Sequence, residues 1–261
     1  MIYDFCAHTD PGLTRDNNED SVTFDAVTGL SILADGMGGY NAGEIASGMA
    51  TTFIKSELGR WLGEAGKAAN GKEIRRAMEI CVDNANRSIF NAANSNPQYG
   101  GMGTTLVVAV FQEARLLVGH IGDSRAYRLR NGELTQLTRD HSLLQEQMDA
   151  GLITAEQAAT SMNKNLVTRA LGVEDAVLLD VNEHRVDPGD LYLLCSDGLS
   201  DMVDDAGIAR ILQSATSLPE KATQLIENAN ANGGRDNISV LLAQAGDGTP
   251  KRGLLARLLG K

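Results

Sequence analysis

From residue 104 onward the spacing of apolar residues changes, and that change narrows the folds open to this chain more than any other feature. Before it, residues 42–62 place Ile45, Met49, Phe53 and Leu58 about one helical turn apart. Residues 72–93 repeat the pattern with Ile74, Met78, Cys81, Ala85 and Ile89. The stretch GEAGKAANG between them is small and polar, which predicts a helix–helix connection and not a domain linker. After residue 104, TTLVVAVF, RLLVGHIG, SRAYRLR and ELTQLT are short β-rich runs separated by turn residues, with Asn131-Gly132 as a hairpin signal. In series they predict a meander, and so an antiparallel sheet. Residues 142–171 turn polar and Ala-rich with no core pattern, as expected of an excursion over the surface. Strands are expected again at 176–186, 191–195 and 238–244, and helices near 204–214 and 219–232. Two long helices, a run of strands, two more helices and a closing strand predict an α+β layering around antiparallel sheet. There is no internal repeat.

At 261 residues the chain can bury a full core as one large domain or two small ones. No apolar run approaches the length that crosses a bilayer. The N-terminal MIYDFCAHTDPG has no basic region, long apolar stretch or cleavage site, so no secretory signal is expected. Cys6, Cys81 and Cys195 have no metal-finger spacing and fit a reducing compartment, which points to the cytoplasm. A net charge of −11 argues against a nucleic-acid partner. Such a charge either keeps the surface soluble or marks carboxylates gathered around cations.

The stretch SILADGMGGYNAGE, residues 31–44, separates those alternatives. It carries an apolar strand into Asp35 and follows it with glycines. Asp-Gly is common in tight turns, but bare backbone beside a carboxylate also suits a site where the main chain must approach a ligand. Three further aspartates occupy comparable places: Asp123 after LLVGHIG, Asp197 after LYLLCS, and Asp236 before ISVLLA. Three strand exits and one entrance can meet at one rim of an antiparallel sheet. Four unpaired carboxylates there would repel unless divalent cations lay among them, and hard oxygen ligands without a His or Cys cluster point to Mg²⁺ or Mn²⁺. The stretch TRDNNEDS adds Arg15, Glu19 and Asp20. An arginine beside an acidic cluster suits an anion such as phosphate, and the combination reads as metal-assisted phosphoryl chemistry.

With those residues in place the chain resembles the PP2C (PPM) family of metal-dependent protein Ser/Thr phosphatases, in its bacterial form. The motifs TRDNNED, ADGMGG, GGMGTTLV, GDSRAY, TRDHS, LVTRALG, CSDGLSD and GRDNISV run in the family's order along nearly the whole chain. The resemblance implies a four-layer αββα sandwich, two antiparallel sheets flanked by helices, over residues 1–246, with residues 142–171 as a flap. It implies that Asp35 bridges two ions, that the Gly36 carbonyl binds one, and that Asp197 and Asp236 hold the other. Asp123 with Asp197 matches a third, weaker site. Glu19 and Asp20 would act through metal-bound waters, and Arg15 would grip the substrate phosphate. Paired Mn²⁺ or Mg²⁺ ions would activate a water to attack phosphorus in phosphoserine or phosphothreonine, without a covalent phosphoenzyme. The implied partners are phosphorylated proteins, among them a bacterial Ser/Thr kinase that the enzyme opposes. Met37 stands where many eukaryotic members have histidine and cannot protonate the leaving alkoxide. A metal-bound water is the first candidate for that acid and His141 the second.

Other features weigh differently. CVDNANR, residues 81–87, has the Cys-x5-Arg spacing of cysteine-dependent phosphatases, but it continues a periodic helix, lacks glycine and places Asp83 where an anion would sit. Cys195 reads as a buried strand residue, and His120 and His184 as structural groups in strands, while His8 has no partner pattern. The basic tail 247–261 contains KRGLLARLLGK, either a frayed terminus or a short amphipathic helix that docks on a partner or an anionic membrane. A catalytically silent relative that binds phosphoproteins is the competing function, and such relatives would be expected to lose a metal ligand. None is missing here.

Overall fold

In the computed structural model, which describes residues 1–38, 42–159, 161 and 166–247, the run of strands after residue 104 divides between two sheets. β5 (Leu106–Gln112) and β6 (Arg115–Ile121) form one hairpin, and β7 (Arg125–Arg130) and β8 (Glu133–Gln136) form another. The chain passes from one sheet to the other through residues 122–124. The expected single meander is therefore two hairpins joined by a crossing, because Gly122 at φ +99° turns the chain out of the first sheet. Asn131 and Gly132, both at positive φ, close the second hairpin as their sequence predicts.

The first sheet orders β2 (Asp20–Asp25), β3 (Leu30–Met37), β5, β6 and β9 (Asp180–Arg185), with the short β4 (Gly103–Thr104) on the end of β3. The second orders β1 (Ile2–Asp10), β11 (Ile238–Gly246), β10 (Leu191–Cys195), β7 and β8. Every pairing is antiparallel. α1 (Ala42–Ala65) and α2 (Gly71–Ser95) cover the outside of the first sheet. α6 (Asp205–Gln213) and α7 (Leu218–Ala231) cover the second. Leu33, Val107, Val118, Tyr192, Leu194 and Leu241 fill the space between the sheets. This is the four-layer αββα arrangement, and period-2 alternation supplies it: each central strand sends one set of side chains to the helices and the other to the facing sheet.

Local sequence explains the helices. Asn70 caps α2 through Lys72 and Glu73 N–H, and the Glu73 side chain returns a bond to the Asn70 N–H. Ser217 and Glu220 build the same box on α7. In α1 the fully buried stripe is Ala46, Ala50, Ile54 and Leu58, while Ile45, Met49 and Phe53 only flank it. The helix is where periodicity placed it, but small residues let its backbone press onto the sheet, so the buried face lies one residue further along. The expected strand 176–186 shortens to β9. β1, an edge strand with half-exposed or exposed side chains, carries no strong alternation, so its spacing gives no strand signal.

The segment 142–171 holds α3 (Leu143–Asp149) and α4 (Ala155–Ala159). Its far end is not surface: Ala170 and Leu171 are buried, and Leu171 bridges Thr104. Cys81 is buried in α2, with Arg87 paired to Asp83 at 3.0 Å, so the Cys-x5-Arg spacing is a helix face and not an anion cradle. Residues 248–261, most of the basic tail, lie outside the described residues.

Candidate metal centre

At the end of the sandwich where β2, β7 and β11 begin and β3, β6 and β10 finish, five aspartates converge. The sequence placed Asp35 at a strand exit. It lies instead inside β3, directly opposite Asp20 of β2. Asp123 occupies the crossing between sheets, Asp197 opens the short helix α5 (Asp197–Ser200), and Asp236 precedes β11. The site is thus not one rim of one sheet. Asp20 and Asp35 lie in strands of the first sheet, Asp197 and Asp236 sit just beyond strand ends of the second, and Asp123 lies in the link between the sheets. Packing of the two sheets brings them together.

Their proximity and burial have an electrostatic consequence. Burial raises the Asp35 carboxyl well above its usual range, and the facing charges of Asp20, Asp197, Asp123 and Asp236 push it further. Asp197 is raised for the same reasons, by burial and then by Asp123, Asp201, Asp236 and Asp20. Burial carries Asp20 to about 6 despite its serine hydrogen bonds, that from Ser196 spanning 2.8 Å. Asp123 also reaches about 6, through burial and then Asp140. Glu19 is raised by burial, against the pull of Arg15.

Arg15 stands at the lip, with its side chain 53% exposed, and donates to Asp236 Oδ2 at 2.6 Å. The 11–19 loop that carries it is stapled to the 234–237 stretch. Leu13 N–H donates to Gly234 O at 2.7 Å and the Thr14 hydroxyl to Arg235 O at 2.6 Å. Asn237 Nδ2 donates to Pro11 O and Asn17 O, while its Oδ1 accepts from Glu19 N–H. The glycine at 36 is enforced by close approach: a Cβ there would lie 2.2 Å from Gly43 O and 2.5 Å from Glu19 O.

Several supporting residues were not singled out from sequence. Thr105 N–H donates to Asp35 O at 2.8 Å, and its hydroxyl accepts from Asp35 N–H at 3.1 Å. The same hydroxyl meets the Ser124 hydroxyl at 2.7 Å, beside Asp123. Thr104 donates its hydroxyl to Asp35 O at 2.9 Å. Ser196 accepts from Ser239 N–H while donating to Asp20. They sit inside the motifs GGMGTTLV, GDSRAY, CSDGLSD and GRDNISV, but a buried hydroxyl has no period that marks its partner.

The donors fit hard divalent cations. All are oxygens, the acids outnumber the arginines beside them, Arg15 and Arg125, and Asp20 Oδ1 is buried without a hydrogen-bond partner. Among the described residues, the trio close enough to grip one ion is a different set, His120, His141 and Asp180, whose ligand atoms lie within 4.8 Å. The Arg169 guanidinium already bonds Asp180 at 2.9 Å and passes 3.2 Å from His141, so a cation fills that place. Both ring nitrogens of His141 are engaged, Nδ1 by Gly122 N–H and Nε2 by Asp180. That removes His141 as the acid for a leaving group. His120 and His184 lie in β6 and β9 as expected, and His8 in β1. Cys195 is buried, its thiol pushed up to about 12 by burial.

Two facing antiparallel sheets clad in helices, with an acid-lined end and Arg15 at its lip, define the class, and residues 9–242 match its sequence pattern. The chain belongs to the protein phosphatase 2C family. It is 40% identical over 239 residues to the serine/threonine phosphatase stp of Listeria innocua, covering 90% of this chain and 93% of that one. The crystal structure of the Mycobacterium tuberculosis serine/threonine phosphatase PstP/Ppp superposes with a TM-score of 0.86 at 39% identity, over 94% of this chain and 100% of that chain. A structure of the PstP catalytic domain in complex with two manganese ions gives 0.82 at 39% identity, over 94% and 99%.

Proposed function

We propose that this protein hydrolyses phosphoserine and phosphothreonine in proteins, using divalent cations held among Asp35, the Gly36 carbonyl, Asp197 and Asp236. Asp123 with Asp197 offers a third, weaker position, and Glu19 and Asp20 act through intervening water. The observation that carries this reading is the meeting of five aspartates from both sheets at one end of a phosphatase-family fold, with Arg15 at their lip. The two-manganese complex of PstP supports Mn²⁺ as the ion, with Mg²⁺ the alternative.

Ions bound there supply Lewis acidity, lowering the pKa of water and offsetting charge on the phosphoryl oxygens. The protein's own part is placement. The carboxylates are fixed before substrate arrives, because Thr104, Thr105 and Ser196 hold the backbone and side chains around them. Arg15 presents a planar fork that already holds one carboxylate oxygen and suits phosphoryl oxygens equally. Met37 offers no proton, and His141 is tied elsewhere, so water is left as the source of the proton for the departing alkoxide.

In this reading the enzyme opposes a Ser/Thr kinase. The test is hydrolysis of a phosphothreonine peptide with Mn²⁺ or Mg²⁺, by wild type and by Asp236→Ala. Turnover that collapses in the variant supports the proposal. Equal inertness of both with saturating metal selects the silent, phosphoprotein-binding alternative. Turnover of small phosphate esters without peptides would move the substrate class to metabolites.

A further inference from the structure

We propose that His141 is a positioning residue that clasps both roots of the 142–171 segment to the crossing that carries Asp123, so that segment and crossing are set as one unit. The inference rests on the phosphatase reading of the site and adds to it a determinant of substrate fit.

Four pieces of chain meet at this one residue. Its backbone N–H donates to Gly122 O at 2.9 Å, and Gly122 N–H returns a bond to its Nδ1 at 3.1 Å. Gly122 adjoins Asp123 and has no freedom to relax, since its φ is +99° and a Cβ would lie 2.7 Å from Thr105 Cγ2. The His141 carbonyl accepts from Thr168 N–H at 2.8 Å, which ties the returning root to the outgoing one. Leu143 N–H to Leu166 O at 2.9 Å and the Ser142–Val167 bridge extend that tie by a residue each way. On the far side of the ring, Nε2–H donates to Asp180 Oδ2 of β9 at 3.1 Å. Arg169, from the returning root, holds the other oxygen of Asp180. The His120 ring stacks on His141 with centroids 4.7 Å apart and planes 14° apart, and its Nε2 lies 2.8 Å from Arg139 O.

The tautomer follows from the partners. Nδ1 accepts from an amide, so the ring proton sits on Nε2 and faces Asp180. Burial lowers the His141 pKa against the opposing pull of Asp180, which keeps the ring neutral and the Nδ1 lone pair available. One wall of a cavity of about 310 Å³ comes from Leu144, Met148 and Ala158 of the segment, and the other from Asp123, Asp197 and Asp201. α3 and α4 pack chiefly on each other. Their roots are fastened at His141, alongside the Arg139–Asp149 ion pair at the end of α3 and the Thr104–Leu171 bridge.

Two substitutions separate the ring's two jobs. In His141→Asn the amide oxygen reproduces Nδ1 and keeps the Gly122 bond, while the reach to Asp180 is lost. In His141→Gln the amide reaches toward Asp180 but leaves Gly122 N–H unserved. Manganese titration of metal-free protein, read by calorimetry, is expected to weaken about tenfold in the Gln variant and to stay within about twofold of wild type in the Asn variant. KM for a phosphothreonine peptide is expected to rise about tenfold in the Asn variant, with kcat on p-nitrophenyl phosphate within about twofold. Amide exchange at Thr168 in metal-free protein is expected to speed at least about tenfold in both.

Unchanged Thr168 exchange in both folded variants, or losses of equal size across every readout, would overturn the clasp. Should His141→Ala fail to fold, the Asn and Gln variants still decide the matter. A wild type that neither binds Mn²⁺ nor turns over phosphopeptide would overturn the phosphatase reading instead, while Thr168 exchange would still report on the clasp itself.

Discussion

Thr105 links the Asp35 backbone in β3 to Ser124, the neighbour of Asp123 in the crossing between sheets, and Thr105→Val measures that link. Valine keeps the shape and the β-branch but removes the hydroxyl that accepts from Asp35 N–H and meets Ser124. Thr105 and Ser124 are 3% and 1% exposed, so water cannot replace the lost partners without opening the fold. An unserved amide costs about 1–3 kcal/mol and an unserved hydroxyl about 1 kcal/mol, so the expected loss is about 2–4 kcal/mol. For a domain of this size that corresponds to a Tm drop of about 5–15 °C. The loss belongs to metal-free protein and is read by thermal unfolding in a chelator. Manganese affinity, titrated separately, is expected to fall as well, because the Asp35 backbone and the residue beside Asp123 lose their common anchor. Thr105→Ser keeps the hydroxyl and is expected to recover most of both. A valine variant with Tm within about 1 °C of wild type would show that these hydrogen bonds contribute nothing and that the site is held by strand pairing alone.

Gly36→Ala drives a methyl into two backbone carbonyls, so a destabilisation of about 3 kcal/mol or more and loss of the Mn²⁺-induced Tm rise are expected in a thermal-shift assay. In wild type, Mn²⁺ at about a hundred times its Kd is expected to stabilise by about 2.7 kcal/mol, reversed by chelation; no shift would argue against a metal site. Burial raises the Asp190 carboxyl, but bonds from Arg130, Asp187 N–H and the Tyr192 hydroxyl outweigh it and hold the pKa below the usual value. A depressed folded pKa adds stability above the unfolded value of about 3.9 and loses it as pH falls through the folded one. The Tm gap between wild type and Asp190→Asn is therefore expected to close below about pH 4, and a gap constant with pH would contradict the assignment. Deleting residues 251–261 is expected to leave peptide hydrolysis and sedimentation with anionic vesicles unchanged; loss of vesicle binding would mark the leucine-bearing tail as a membrane contact.

Sequence by itself determined the layers and the cast. Helical and strand periods are local properties, so both long helices, the run of short strands after residue 104 and the closing strand could be read from side-chain spacing. Asp35, Asp123, Asp197 and Asp236 stood out because each interrupts or abuts an apolar run that has no other use for a charge. Arg15, Glu19 and Asp20 were visible as a cluster. Tertiary structure decided what no period carries. Which sheet each hairpin joins depends on a single turn at Gly122, whose conformation is chosen by packing against Thr105. That one turn makes the acidic site a product of two sheets, with Asp123 at the hinge between them. The hydroxyls of Thr105, Ser124 and Ser196, and the ring of His141, matter through partners 19 to 176 residues away. A hydrogen bond requires two groups to meet within about 3 Å, and for these residues only the folded chain determines which groups meet.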